Sequence, residues 1–266
     1  MNRWRRWGAG LVGAALLGWI ALAGAEPGTV FQASTIEALL NGGYGGETTL
    51  ARLAEAGDFG LGTVDRLDGE LVVLDGGFYQ VRVDGSVHRL SHQTTTPFAV
   101  VVPFAPQRQL TLPVGETLAS LESRVAGWSG GDNHIAALRV EGSFERVRVR
   151  SVPRQTPPFR RLAEVVQEQR EFVLESLEGT LVGFRFPAYA KGINVPGFHF
   201  HFLAKDRQSG GHVLDFRLNS GELAAMEVSG WRIELPDSPA FRHAVLGGEA
   251  RQDELRQVEK RVLTKE

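Results

Sequence analysis

The sequence contains no cysteine. It therefore forms no disulfide, and any metal it holds must be bound by histidine, aspartate or glutamate. A basic excess is also missing: 29 lysines and arginines stand against 31 acidic residues, for a formal net charge of −2. This argues against nucleic acid as a partner, because phosphate backbones select clustered positive charge. Beyond residue 22 no run is apolar over the roughly 20 residues that a membrane-spanning helix needs. The glycine-rich Gly42-Gly43-Tyr44-Gly45-Gly46 lacks the Lys-Ser/Thr pair and the strand-to-helix context of a phosphate loop.

What is present is an ordinary balance of 42% hydrophobic and 23% charged residues over 266 positions, enough to bury a substantial core in one large domain or two small ones. The first 25 residues stand apart. Arg3, Arg5 and Arg6 precede an apolar run over 7–22 that ends in Ala23-Gly24-Ala25. These are the three parts of a signal peptide, with cleavage expected before Glu26 and export to the periplasm or beyond the cell. A retained membrane anchor is the alternative, disfavoured because the run is short and rich in glycine and alanine. Loss of the three arginines leaves the mature chain mildly acidic.

After the leader, Ser34 and Thr35 are candidate caps for a short helix to Leu40, ended by Asn41-Gly42-Gly43. Thr48 is a candidate cap for a second helix over 50–56, with Gly57 as its stop. Short β-type runs follow at 62–67, 70–74, 78–83 and 98–104, and read as a meander. Leu118, Leu121 and Val125 have helical spacing and predict a helix crossing that sheet. Strands are expected again at 135–140 and 144–152, then, beyond the proline-rich stretch 153–158, at 171–174, 180–186, 198–203, 212–216, 222–228 and 231–235. Leu255, Val258 and Val262 predict a helical tail. The pattern divides the chain into a leader (1–25), an N-terminal sheet-rich half (26–155) and a C-terminal sheet-rich half with the helical tail (156–266). Leu67-Asp68-Gly69-Glu70-Leu71-Val72 and Leu177-Glu178-Gly179-Thr180-Leu181-Val182 are alike, which hints at an internal duplication, although two unrelated glycine turns explain them equally well.

The sharpest chemical signal is Phe198-His199-Phe200-His201-Phe202, followed by a turn-forming stretch over 206–211 and then His212. Alternation along a strand points His199 and His201 one way and the phenylalanines to the opposite, buried side. The Gly210-Gly211 turn returns His212 on a neighbouring antiparallel strand. Three neutral imidazoles with one open position form a recurring catalytic zinc arrangement. The bland reading is three surface or interface histidines beside an aromatic core. His88, His92, His134 and His243 have no such geometry and read as surface residues. Arg146, Arg148 and Arg150 alternate with valines. One of them reaching a pocket would offer a planar fork to a substrate carboxylate, but spacing does not select which. Glu70 opens an apolar strand and reads equally as a cavity residue or an exposed strand end. Glu254 and Glu259 read as solvated helix charges.

Several stretches together resemble the acetolactate decarboxylase family: Leu40-Asn41-Gly42-Gly43-Tyr44-Gly45-Gly46-Glu47, Gly57-Asp58-Phe59-Gly60-Leu61-Gly62-Thr63, Leu67-Asp68-Gly69-Glu70-Leu71, Asp75-Gly76-Gly77-Phe78-Tyr79-Gln80, Pro97-Phe98-Ala99, Arg150-Ser151-Val152-Pro153-Arg154-Gln155 and the His199 to His212 hairpin. The resemblance runs in order over nearly the whole mature chain. It implies a two-part α/β (α+β) architecture of mixed β-sheets with a few short helices, a homodimer, and a metal site on a β-hairpin of the second half. It also implies zinc-dependent conversion of 2-acetolactate to acetoin and carbon dioxide through an enediolate. Carried over by motif, the zinc ligands are His199, His201 and His212, and the pocket residues are Thr63, Glu70 and Arg150, with a tail glutamate at Glu259 or, as second choice, Glu254. Arg150 would orient the carboxylate or hold the developing anion, Glu70 and Glu259 would share a proton network, and Thr63 would hydrogen-bond substrate or a glutamate. The leader departs from the cytoplasmic members and puts the compartment, not the chemistry, in question. A cupin-like metal oxygenase also uses His-x-His and a later histidine, but Lys205 and Asp206 stand where its glutamate is expected. A non-catalytic, exported β-rich binding module is the further rival.

Overall fold

The computed structural model describes residues 26–126, 131–247, 254, 255 and 258. The expected leader lies outside the described residues, as do Glu259 and Val262. In chain order the elements begin with β1 (Thr29–Ala33), α1 (Ile36–Leu40), β2 (Thr48–Thr49), α2 (Leu50–Ala56) and β3 (Phe59–Thr63). Next come β4 (Glu70–Leu74), β5 (Gly77–Val81), β6 (Val87–Arg89), β7 (Thr95–Thr96) and β8 (Ala99–Val102). They are followed by β9 (Arg108–Leu112), α3 (Leu118–Ala126), β10 (Ile135–Ser151), α4 (Leu162–Val165) and β11 (Arg170–Phe186). The chain continues through β12 (Gly197–Ala204), β13 (Gly210–Val228), β14 (Gly230–Glu234) and α5 (Pro239–Arg242).

Seven strands form a mixed sheet in the order β14-β1-β8-β3-β4-β5-β6, with β1 and β14 parallel and the rest antiparallel. In the second sheet β11 pairs with β10 and β12, β12 with the start of β13, and β13 with β10 along its length, so these four strands close a ring. β9 joins the outer edge of β13. The two sheets do not divide near residue 155: β9 and β10 precede that point and belong to the second sheet, while β14 follows it and belongs to the first.

Strand alternation accounts for the layers. Val72 and Leu74 face the second sheet, where they pack with Val182, Phe184 and Met226. Leu71 and Val73 face outward onto Leu50 and Leu53 of α2. Phe144, Phe200, Phe202 and Phe216 fill the other core, on the far side of the second sheet. Each such ring removed from water contributes about 1.5–3 kcal/mol. Leu121 and Val125 of α3 join that core, so this helix covers the second sheet and not the first-half meander the sequence pointed to. A smaller cluster of Ile36, Leu39, Phe98, Val152, Leu162, Leu255 and Val258 caps one end of the sheets.

The local signals act as expected in α1, where the Thr35 hydroxyl accepts a hydrogen bond from the Ala38 amide. In α2 the capping side chain is Thr49, one residue later than expected, its hydroxyl accepting from the Arg52 amide. The largest difference concerns glycine. The strands expected at 135–140 and 144–152 are one strand, and so are the pairs at 171–174 with 180–186 and 212–216 with 222–228. Gly142 lies directly between Gly179 and Gly221 on its neighbours. A methyl on Gly142 would collide with the Ser220 carbonyl, and one on Gly179 with the Phe202 ring. These glycines permit close approach inside continuous strands and do not end them. The two similar Leu-x-Gly stretches also differ in conformation: Gly69 occupies a left-handed position ahead of β4, whereas Gly179 is in mid-strand, which removes the case for a duplication.

Candidate metal centre and substrate pocket

β12 separates its side chains as the period of two requires. Phe200 and Phe202 enter the far core, while His199, His201 and Leu203 face the first sheet. The hairpin return is antiparallel and sets His201 directly opposite His212. Gly210 and Gly211 are the first residues of β13 and not the turn itself. Gly211 has φ +142°, and a methyl there would lie 2.6 Å from the Arg150 carbonyl oxygen, so glycine allows β13 to close against β10.

A bulge aims the third imidazole. Arg148 pairs with Asp215 but Val149 pairs with Val213, leaving Leu214 as the extra residue. A regular strand would place His212 on the same face as Phe216, in the core. The extra residue returns Val213 to that core and turns His212 toward Arg150, its partner across the strands.

The three imidazoles converge. His199 Nε2 is 3.2 Å from His201 Nε2 and 3.1 Å from His212 Nδ1. All three residues are buried, and their ligand atoms lie within 4.8 Å of one another. A tetrahedral ion with Zn–N bonds of roughly 2.0–2.1 Å holds its nitrogens about 3.3 Å apart, which matches the two short separations. His201 Nδ1–H donates to the Leu71 carbonyl at 2.8 Å. A carbonyl only accepts, so this bond fixes the proton on Nδ1 and leaves the Nε2 lone pair facing the other rings. Burial pushes the His199 pKa down to about 3, with the Arg150 charge adding to the effect. Burial, and then His199 and Arg150, also hold His201 well below the usual histidine range against the opposing Leu71 hydrogen bond. Both rings are therefore neutral donors near pH 7, the state that metal binding needs.

Of the arginine row, only Arg150 reaches this site. Arg146 is half-exposed and pairs with Asp215, and Arg148 pairs with Glu171, whereas the Arg150 side chain is 5% exposed. Arg150 Nη1 is 4.0 Å from Glu70 Oε1, too far for a hydrogen bond, and its buried Nε has no hydrogen-bond partner among the described residues. The guanidinium thus retains directed donors for an anion. Glu70 Oε2 is 3.5 Å from His201 Nε2, placing the carboxylate beside the triad.

Thr63 lies opposite Glu70 on β3, but its hydroxyl donates to the Gly69 carbonyl at 2.7 Å. That hydroxyl hydrogen is engaged in holding the turn that delivers Glu70, which differs from the expected hydrogen bond to substrate or a glutamate. Glu254 pairs with the exposed Arg161. Its neighbours Leu255 and Val258 are helical and buried, as the tail spacing predicts, and Val258 lines the pocket. His88, His92, His134 and His243 are exposed, as read from the sequence.

Sequence reasoning missed the Leu71 carbonyl, the Leu214 bulge and the apolar wall formed by Leu39, Phe98, Val152 and Leu162. A backbone carbonyl carries no residue signature, and the wall residues read as ordinary core.

Comparisons with known proteins point to one family. The family model described as alpha-acetolactate decarboxylase matches residues 30–248. An alpha-acetolactate decarboxylase of Methylococcus capsulatus is 45% identical over 84% of this chain and 86% of its own length. One from Methanosarcina mazei is 43% identical over 87% and 80%. The crystal structure of alpha-acetolactate decarboxylase from Bacillus subtilis strain 168 superposes with a TM-score of 0.85 at 33% identity, covering 87% of this chain and 99% of that one. By sequence and by fold, the chain belongs to the alpha-acetolactate decarboxylase family.

Proposed function

We propose that this chain decarboxylates 2-acetolactate to acetoin with a zinc ion held by His199, His201 and His212. The observation that carries the reading is the convergence of three buried imidazoles beside an arginine with unengaged donors. The donor set favours zinc, since three histidines and an open position suit it and the chain offers no thiolate. When bound, the ion supplies Lewis-acid stabilisation of negative charge on oxygen.

The substrate carries a carboxylate, a hydroxyl and a methyl on one carbon and a ketone on the next. Arg150 binds and orients the carboxylate through its planar fork. Loss of carbon dioxide breaks the bond to that carbon and leaves its electron pair delocalised as an enediolate. A proton then returns to the same carbon to give acetoin. Glu70 stands where it can hold that proton, and Thr63 keeps the Glu70 turn in place through Gly69. Glu259 is the second carboxylate in this scheme, assigned by the family resemblance. Phe200 and Phe202 exclude water from behind the ligands.

Purified protein given racemic 2-acetolactate anaerobically should release carbon dioxide and form acetoin, should lose activity on chelation, and should regain it with zinc. Release that requires oxygen would favour the oxygenase reading, and absence of bound metal the binding-module reading. We further propose that the mature protein starts at Glu26, is exported, and forms a homodimer. Intact-mass analysis and light scattering check these points, and a membrane-bound product retaining Met1 would contradict the first.

A further inference from the structure

The cavity over the triad is chemically divided. One side carries the histidines, Glu70 and Arg150, and the other is apolar, with Leu39 on α1, Phe98, Val152 and Leu162 on α4. The cavity is narrow, with a volume of about 40 Å³, so small differences in ligand size matter there. Gly62 also lines the cavity, but a methyl at that position would collide with the Phe98 carbonyl. The wall is thus fixed by backbone at Gly62 and by side chains elsewhere.

Resting on the decarboxylase reading, the argument follows from which substrate groups remain once the polar side is used. The oxygens are taken by the metal position, Arg150 and Glu70, which leaves the two methyl groups for the apolar side. The methyl on the hydroxyl-bearing carbon shares that carbon with the carboxylate, so it stays close to the group that Arg150 binds. Val152 is two residues beyond Arg150, and both residues line the cavity. Leu162 belongs to the same buried cluster as Val152 and lines the cavity with it. We propose that Val152 and Leu162 set the largest alkyl group that the site accepts on the hydroxyl-bearing carbon.

The test compares kcat/KM for 2-acetolactate with that for its homologue carrying ethyl in place of this methyl, in the wild type, Leu162→Ala and Val152→Ile. Leu162→Ala should raise the ethyl-to-methyl ratio roughly tenfold or more, and Val152→Ile should lower it by a similar factor, as one methylene in a tight apolar pocket allows. Calorimetric binding of the two ketone-reduced analogues, which cannot lose carbon dioxide, should move in the same directions. Leu162→Val provides a milder enlargement if Leu162→Ala does not fold. Ratios that stay at the wild-type value in folded Val152→Ile and in either Leu162 variant would overturn the inference, while wild-type turnover would leave the decarboxylase reading standing. A wild type that binds the analogues but releases no carbon dioxide from 2-acetolactate would instead remove the decarboxylase reading, and the calorimetric ratio would still decide the role of the wall.

Discussion

β12 and β13 of the second sheet deliver imidazoles from strands of 8 and 19 residues, whereas in the first sheet β4, of 5 residues, delivers a carboxylate and a backbone carbonyl beside the equally short β3. The longer of the imidazole-bearing strands, β13, is aimed by the bulge at Leu214. The short ones are held by the Thr63–Gly69 and His201–Leu71 hydrogen bonds. The three imidazoles therefore come from one sheet, and part of their positioning from the other. Substitutions in the second sheet should remove the site, and those in the first should loosen it.

The largest expected effect lies in the second sheet. His201→Ala removes a ligand and the bond to Leu71, so acetoin formation should fall below detection, while His88→Ala and His134→Ala remain near wild type in the same assay. Activity in His201→Ala close to wild type would break the comparison at once. Arg150→Lys comes next, since lysine keeps the charge but loses the two-point fork. A drop of roughly 100-fold in kcat/KM is expected from misplacing the carboxylate, against changes under about twofold for Arg146→Lys and Arg148→Lys on the solvated part of the row. Equal behaviour of all three arginines would show that burial does not select Arg150.

In the first sheet, Thr63→Val leaves the Gly69 carbonyl without its buried donor. Denaturant unfolding should show a loss of about 1–3 kcal/mol, and activity should fall by roughly tenfold through displacement of Glu70, with metal content retained. Loss of metal in this variant would mean that the first sheet holds the ion directly.

The smallest effect is on pH dependence. His199 and His201 stay neutral in the metal-free fold, while the unfolded chain takes up protons near the ordinary histidine pKa of about 6.5. Folded values below the unfolded one mean that stability is full above about pH 6.5 and declines as pH falls toward the His199 value of about 3. The slope is about 1.4 kcal/mol per pH unit for each such histidine. Urea titrations of chelated protein between pH 6 and 4.5, about 0.5 to 2 units below that reference value, should show a shallower decline in His199→Asn than in the wild type. Identical slopes would contradict the assigned burial effect.

Which of these features were legible in the sequence follows from how each is encoded. The period of two exposed the His199–His201 pair, and the glycines after it pointed to His212. The same glycine signal misled at Gly142, Gly179 and Gly221, where the residue relieves crowding between paired strands. A single chain shows the glycine but not the neighbour it accommodates. His212 was identified by the hairpin, yet its direction depends on Leu214, and a bulge arises from pairing across strands that sequence spacing does not display. Likewise nothing in Arg146-Val147-Arg148-Val149-Arg150 marks the last arginine as buried. Its burial comes from β4 and from the cap of Leu39, Val152 and Leu162.

The central claim is that one ion is held jointly by strands β12 and β13. Metal analysis of purified wild type and His212→Ala, with circular dichroism to confirm folding, tests it most directly. One zinc per wild-type chain and a near-complete loss of zinc in a folded His212→Ala protein is the expected result. Wild-type zinc content in that variant would place the ion elsewhere and contradict the account.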